Sequence, residues 1–434
     1  MTVLLGCIAD DFTGGTDLAG MLVKSGMRTI QLIGIPTGPI ASITSITSMT
    51  SDVDAIVIAL KSRTAPVEDA VAESLAGLRW LQQAGCRQFF FKYCSTFDST
   101  AHGNIGPVSE ALMRALDTGF TIACPAFPAN GRTIYQGYLF VGDVLLNESG
   151  MRDHPLTPMT DANLVRVLQQ QIQGKVGLTA QRVVEQGPTA IAERFAVLKE
   201  AGCNMTIVDA VSDRDLLAIG TACATLPLVT GGSGIALGLP DNFRRAGLLA
   251  SDHVAHALPA TGGLRAVIAG SCSVATQRQV ALMAKQAPSF QIDPLRLAAG
   301  DDLVAQALAW AEGHIGAGPV LIFATATPET VRQAQQQLGV ERAGNLVEDA
   351  LGRIAIGLVA LGVGQLIVAG GETSGAVVKA LGVTGLRIGP EIDPGVPWTV
   401  ALTEQDCAMP LALALKSGNF GSEDFFMKAW GRLS

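Results

Sequence analysis

Short apolar runs without polar alternation recur along this chain, and each breaks off into glycine, hydroxyl or charged residues. Val3 to Ile8 is the first, ended by Ala9-Asp10-Asp11-Phe12-Thr13-Gly14-Gly15. Ala55 to Leu60, Phe89 to Phe91, Phe120 to Cys124, Met205 to Val208 and Leu226 to Val229 follow. Arg265 to Ala269, Val320 to Phe323 and Gln365 to Ala369 repeat the pattern. A strand that is apolar on both sides belongs in a parallel sheet covered on both faces. Between the runs, apolar residues return at helical spacing, as in Val67 to Gln83 and Thr189 to Ala201. The pattern predicts an α/β chain whose strand ends gather on a rim, where open sheets take their ligands.

At 434 residues the chain exceeds one comfortable core. The alternation lapses around Leu239 to Gly263, through Pro240, Pro259 and Gly262-Gly263, and then restarts. The expected architecture is two domains, each a mostly parallel sheet covered by helices, with the active site in the cleft between them. Residues 1–238 form the first domain, 239–263 the joint and 264–434 the second. Pro36 to Ser51 reads as a connection, and Gly137 to Pro158 as irregular chain.

The net charge of −8 offers no basic surface from which a nucleic acid could release counterions, so that partner is not expected. No apolar run approaches membrane-spanning length, and the N-terminus has neither the basic region nor the long apolar stretch of a signal peptide. Eight cysteines are scattered without a C-x-x-C pair, which points to a reducing cytoplasm without disulfides or a zinc site. His253 and His256 lack a third ligand nearby in sequence, and no metal-ligating residues are assigned.

The polar stretches carry two kinds of chemistry. In the first half, Asp10, Asp11 and Asp98 can accept hydrogen bonds from hydroxyls, and one of them can act as general base. Lys61, Arg63 and Lys92 can hold a substrate carboxylate, the arginine in bidentate fashion. Asp11 also has the place of a helix cap, with Gly14 and Gly15 turning the chain. In the second half, Gly370-Gly371-Glu372-Thr373 follows a strand and opens a helix, which presents free backbone N–H groups at a positive dipole end. Gly270-Ser271-Cys272-Ser273 has the same context, and Lys416-Ser417-Gly418 adds a cation and another close backbone approach. Three such turns in one domain predict a nucleotide. The P-loop pattern and the dinucleotide fingerprint are both absent. An acid–base site paired with a phosphate cradle suits phosphoryl transfer.

Four segments together resemble the four-carbon acid sugar kinase family. They are Ile8-Ala9-Asp10-Asp11-Phe12-Thr13-Gly14; Lys92 through Asp98-Ser99-Thr100 to Gly103-Asn104; Gly370-Gly371-Glu372-Thr373-Ser374-Gly375; and Lys416-Ser417-Gly418-Asn419-Phe420-Gly421. The resemblance covers the whole chain in the right order. It implies an N-terminal domain for the sugar acid and a C-terminal domain for ATP, with Mg²⁺ bridging the phosphates. With that division, the expected catalytic residues are Asp11, first choice for the base, Asp98, the second, and Asp10, an orienting partner. Lys61, Arg63, Lys92, Ser95, Thr96, Ser99 and Asn104 fall at the sugar acid. Ser271, Ser273, Gly370, Gly371, Glu372, Thr373, Lys416 and Gly418 fall at ATP. The long Phe91-to-Thr100 segment resembles the branch acting on 3-oxo-tetronates. Threonate and erythronate kinases tend to have a shorter version with an arginine where this chain has Ala101-His102, which makes threonate the alternative. A non-catalytic binder of a sugar acid and a nucleotide is the rival from another class. Homo-oligomerisation, substrate stereochemistry and the identity of the base are left open.

Overall fold

The computed structural model describes residues 3–36, 53–154, 156–250, 255–403 and 410–433. The connection after Pro36 and His253 of the histidine pair lie outside the described residues. The chain divides into two compact units, Met1–Ala255 and His256–Ser434.

In the first unit eight strands form an all-parallel sheet. They are β1 (Leu5–Ala9), β2 (Thr29–Ile33), β3 (Ala55–Ala59), β4 (Gln88–Lys92), β5 (Thr121–Cys124), β9 (Lys175–Thr179), β10 (Cys203–Val208) and β11 (Leu228–Gly231). Their spatial order is β2-β3-β1-β4-β11-β5-β10-β9. β1 and β3 are buried at every position, as their unbroken apolar sequences require. The chain lays β2 and then β3 on one side of β1, with β3 next to it, and crosses to the other side with β4. This reversal makes the carboxyl ends of β1, β3 and β4 the switch point at which such sheets bind ligands.

Helix α1 (Phe12–Lys24) follows β1 directly, and α2 (Val67–Gln83) packs its Ala70, Ser74, Gly77, Leu78 and Leu81 stripe inward. Glu68 and Asp69 favour the start of α2, and Gly85, in the left-handed region at φ 83°, lets the chain turn out of it. Helix α3 (Ile105–Ala115) begins just after Asn104.

The stretch expected to be irregular instead carries β7 (Tyr138–Val141) and β8 (Val144–Leu145), which pair antiparallel in a three-stranded sheet with β6 (Arg132–Tyr135) just ahead of it. Its first turn places Gln136 and Gly137 both at positive φ, 53° and 77°. The buried Asp209 carboxylate accepts from both their N–H groups, at 2.6 and 2.8 Å. The turn is held by a residue from the end of β10 rather than by its own sequence. A short helix, Pro240–Arg245, packs on the first unit through buried Phe243 and an Asn242 side chain that donates to the Gly220 carbonyl.

In the second unit β12 (Leu264–Ala269), β13 (Ser289–Gln291), β14 (Val320–Phe323), β15 (Val363–Ala369) and β18 (Ala412–Lys416) run parallel in the order β13-β14-β12-β15-β18. β17 (Val396–Thr403) and β16 (Val383–Asp393) continue the sheet antiparallel. Trp398, Phe425, Phe426 and Trp430 close this core beside Val267 and Ile367. Helix α4 (Val274–Ala284) follows β12, and α5 (Gly371–Ala380) follows β15. Among the described residues no helix is long and apolar enough to cross a membrane.

Candidate active site

At the end of β1 the two carboxylates part company. Asp10 is buried, and Arg63 closes a bidentate pair on it, Nε to Oδ2 at 2.9 Å and Nη2 to Oδ1 at 2.8 Å. Asp11 caps α1 by accepting from the Gly14 N–H at 3.1 Å, and Thr13 Oγ1 donates to its other oxygen at 3.2 Å. The same Arg63 Nη2 lies 2.8 Å from Asp11 Oδ1, and Nη1 lies 3.8 Å from Asp98 Oδ2. One guanidinium thus faces all three candidate catalytic carboxylates. Its bidentate edge, expected to hold a substrate carboxylate, is occupied by Asp10.

Burial pushes the Asp10 carboxyl up, and Arg63 beside it does not fully offset this. Burial acts on Asp11 too, but Arg63, Lys92 and the bonds from Thr13 and Gly14 outweigh it and hold that carboxyl below its usual range. Adjacent residues in one environment are driven in opposite directions, the pattern by which acid and base roles separate. Of the three carboxylates, Asp11 is the one a ligand can reach. Its side chain is 27% exposed, against 8% for Asp10 and 10% for Asp98.

Lys92 ends β4, is buried, and donates to the Tyr93 carbonyl at 2.9 Å. A side chain at Gly14 would collide with Lys92 Nζ and the Asp11 carboxylate, so glycine is required there by a close approach. After β4 the chain enters a strained turn, with Phe97 at φ 67° and Asp98 at φ 39°. The Phe97 ring, buried edge-on against Tyr93, anchors it. Thr96 Oγ1 donates to Asp98 Oδ1 at 2.6 Å and also meets Cys94 Sγ, whose thiol burial pushes up to about 12. Ser95 is half-buried and Lys61 exposed. Ser99 accepts from Gln171 Nε2 at 2.9 Å, and Asn104 donates to backbone carbonyls at residues 62, 63 and 65. Gln171 had no local signal in sequence. It ties Ser99, the Thr100 carbonyl and the Gly106 N–H together.

The predicted nucleotide residues gather in the second unit around β12, β15 and β18. Gly370, at φ 131°, donates its N–H to the Lys416 carbonyl at 2.8 Å and lies against Ser271 and Thr373. No side chain caps α5. A Cβ at Gly371 would meet nothing within 4 Å, and no φ constraint applies, so the fold itself has no use for glycine there. Ser273 Oγ and Thr276 Oγ1 both donate to the Gly418 carbonyl, at 2.5 and 2.8 Å. Glu372 is exposed on the first turn of α5.

Lys416 lies fully buried beneath this turn, donating to Thr276 Oγ1, the Ser417 carbonyl and the Gly418 carbonyl, each at 3.0 Å. Burial pushes its ammonium down to about 7. Gln279, which sequence reasoning did not single out, donates to the carbonyls of Phe420, Gly421 and Ser422.

A parallel sheet with a carboxylate cluster at its switch point, and a second with a glycine and hydroxyl cradle, define a two-domain protein for a hydroxylated acid and a nucleotide. Comparison with known proteins agrees. Residues 5–239 match the model of a sugar-binding N-terminal domain, and residues 266–426 that of a nucleotide-binding C-terminal domain. A Burkholderia multivorans protein named 3-oxo-tetronate kinase is 62% identical over 98% of this chain and 96% of its own. One of the same name from Cupriavidus necator is 61% identical over 99% and 97%. A solved structure from Salmonella typhimurium LT2, carrying a provisional tRNA synthase description, is 43% identical over 99% of each chain with a TM-score of 0.88. The chain belongs to the four-carbon acid sugar kinase family.

Proposed function

We propose that this chain uses ATP to phosphorylate the terminal C4 hydroxyl of a 3-oxo-tetronate, in the cytoplasmic breakdown of carbohydrate acids. Residues 1–238 take the sugar acid, 264–434 the nucleotide, and 239–263 join them. The observation that carries this reading is the meeting of Asp10, Asp11 and Asp98 on one guanidinium at the switch point of the first sheet. A binder of sugar acids has no need of three carboxylates there; a kinase needs one to take the hydroxyl proton.

Asp11, the most exposed of the three, is the base, with Asp98 the second candidate and Asp10 orienting Arg63. Its lowered pKa keeps it ionised, which suits a phosphoryl transfer in which positioning does most of the work. Lys61, Lys92 and Arg63 are the candidate cations for the substrate carboxylate, and Ser95 and Thr96 supply hydroxyls beside it. Ser99 and Asn104 hold the loop. The uncapped N–H groups of Gly371, Glu372 and Thr373 fit a triphosphate, since the open space at Gly371 admits one. Mg²⁺ brought in with the nucleotide would supply positive charge against that developing on the phosphates. The tRNA synthase description of the Salmonella relative is not carried over, because relatives of higher identity, 62% and 61% against 43%, are named 3-oxo-tetronate kinase.

The test is ADP release with ATP, Mg²⁺ and a panel of tetronic acids. Turnover is expected with 3-oxo-tetronate foremost. Faster turnover of threonate or erythronate selects the alternative substrate, and tight binding without ADP release selects the binder.

A further inference from the structure

Asn104 was expected at the substrate, yet its amide is turned into the protein. Nδ2 donates to the carbonyls of Ser62 at 2.8 Å, Ala65 at 2.9 Å and Arg63 at 3.3 Å, and Oδ1 is buried with no hydrogen-bond partner. The same short segment is tied at its other side. The N–H groups of Ser62 and Arg63 both donate to the Asp10 carbonyl, at 2.9 and 3.1 Å. Arg63 is therefore fixed at its backbone N–H by β1 and at its carbonyl by the start of α3. Its side chain then reaches three carboxylates at once, a geometry that a planar fork achieves only from one position.

We propose that Asn104 is a positioning residue that does not touch the substrate. Resting on the kinase reading above, it sets the Ser62–Ala65 segment so that Arg63 holds Asp10, Asp11 and Asp98 in register. The donor side fits this role: every bond that Nδ2 makes goes to a backbone carbonyl of the Ser62–Ala65 segment. The charged and titratable groups facing the carboxylates are Arg63, Lys92, Cys94 and Tyr93. Of these, Arg63 is the one whose place depends on Asn104.

The test is a double-mutant cycle of Asn104→Ala and Arg63→Lys, read by kcat, both KM values and the pH profile. Asn104→Ser, which keeps one donor, replaces the alanine variant if that one fails to fold. A small misplacement of a catalytic constellation costs on the order of 10²-fold. The expected result is a loss of that size in kcat, KM for ATP unchanged, and the acid limb of kcat/KM moved to higher pH as Arg63 withdraws from Asp11. The double variant should be little worse than Arg63→Lys alone, because both act through one group. The proposal is overturned if KM for the sugar acid rises while kcat holds and the two effects add, since Asn104 then contacts substrate directly. It is equally overturned if melting temperature falls with the pH profile unmoved. Absence of turnover by the parent with every tetronic acid sinks the kinase reading instead. The clamp is then tested by acid unfolding. Asn104→Ala should unfold at higher pH than the parent, and an unchanged midpoint removes it.

Discussion

Both candidate sites lie at carboxyl ends of strands, those of β1, β3 and β4 in the first unit and of β12, β15 and β18 in the second, and they are built from opposite chemistry. In the first unit three carboxylates share one guanidinium, and Arg63, Asp10 and Asp11 satisfy one another before any ligand arrives. In the second unit the cradle is glycine, hydroxyl and bare N–H, with one buried lysine bonded only to neutral oxygens. The difference follows from what each must bind. A polyanion needs donors left unfilled and room for close approach. A neutral hydroxyl that must lose a proton needs a charged acceptor, and an acceptor held among like charges must itself be restrained by a cation.

The comparison breaks most visibly at Asp11. Asp11→Asn retains the size and much of the capping ability but removes the base, so kcat should fall about 10²–10⁴-fold with nucleotide affinity unchanged. A variant that melts like the parent and turns over at nearly the parent rate would make Asp11 structural and move the base to Asp98.

Gly371→Val strikes the other unit. The Cβ position is open, so the fold should survive. Nucleotide affinity should drop by roughly tenfold or more, the equivalent of about 1.4 kcal/mol. Calorimetry showing undiminished ATP binding would remove Gly371 from the cradle.

Lys416 sharpens the contrast through pH. Its folded value of about 7 lies below the ordinary 10.5, so between those values the unfolded chain binds more protons than the folded one. Stability of the nucleotide-free protein should therefore rise with pH across that window, and Lys416→Met should flatten the rise. A nearby phosphate favours the charged form, so ADP binding near pH 8 should take up a proton in the parent and none in the variant. Calorimetry in buffers of differing ionisation enthalpy measures this. Equal uptake in both proteins would mean that Lys416 does not sense the nucleotide.

The smallest effect is expected at Gln279, which acts on backbone carbonyls only. Gln279→Met should cost about 1 kcal/mol of stability and raise KM for ATP a few-fold, with kcat preserved. A fall in kcat without a change in KM would assign it to the transfer step.

Much of this was legible because strand and helix periodicities are local. Val320–Phe323 and Val67–Gln83 emerge with the bounds their patterns predict, and the residues at the ends of β1, β4, β12, β15 and β18 converge within their own sheets. The hairpin of β6 and β7 was not legible. Gln136 is an unusual residue for a left-handed turn position, and the Asp209 carboxylate that fixes it lies 73 positions away. Arg63 was singled out by type and place, but its partner within the protein was not legible, for a related reason. Nothing in Lys61-Ser62-Arg63-Thr64 indicates that a carboxylate 53 positions earlier already fills the fork.

By itself, then, the sequence determined the alternation of buried strands and helices, the gathering of polar residues at strand ends and the family to which these belong. Tertiary structure alone decided which groups each one meets: Arg63 with Asp10, Asp11 and Asp98, Lys416 with no carboxylate among the described residues, Asn104 with the backbone carbonyls of residues 62, 63 and 65. Periodicity is written in neighbouring residues. The energy of an ionised group depends on burial and on partners brought in from distant segments, and only the folded chain supplies those.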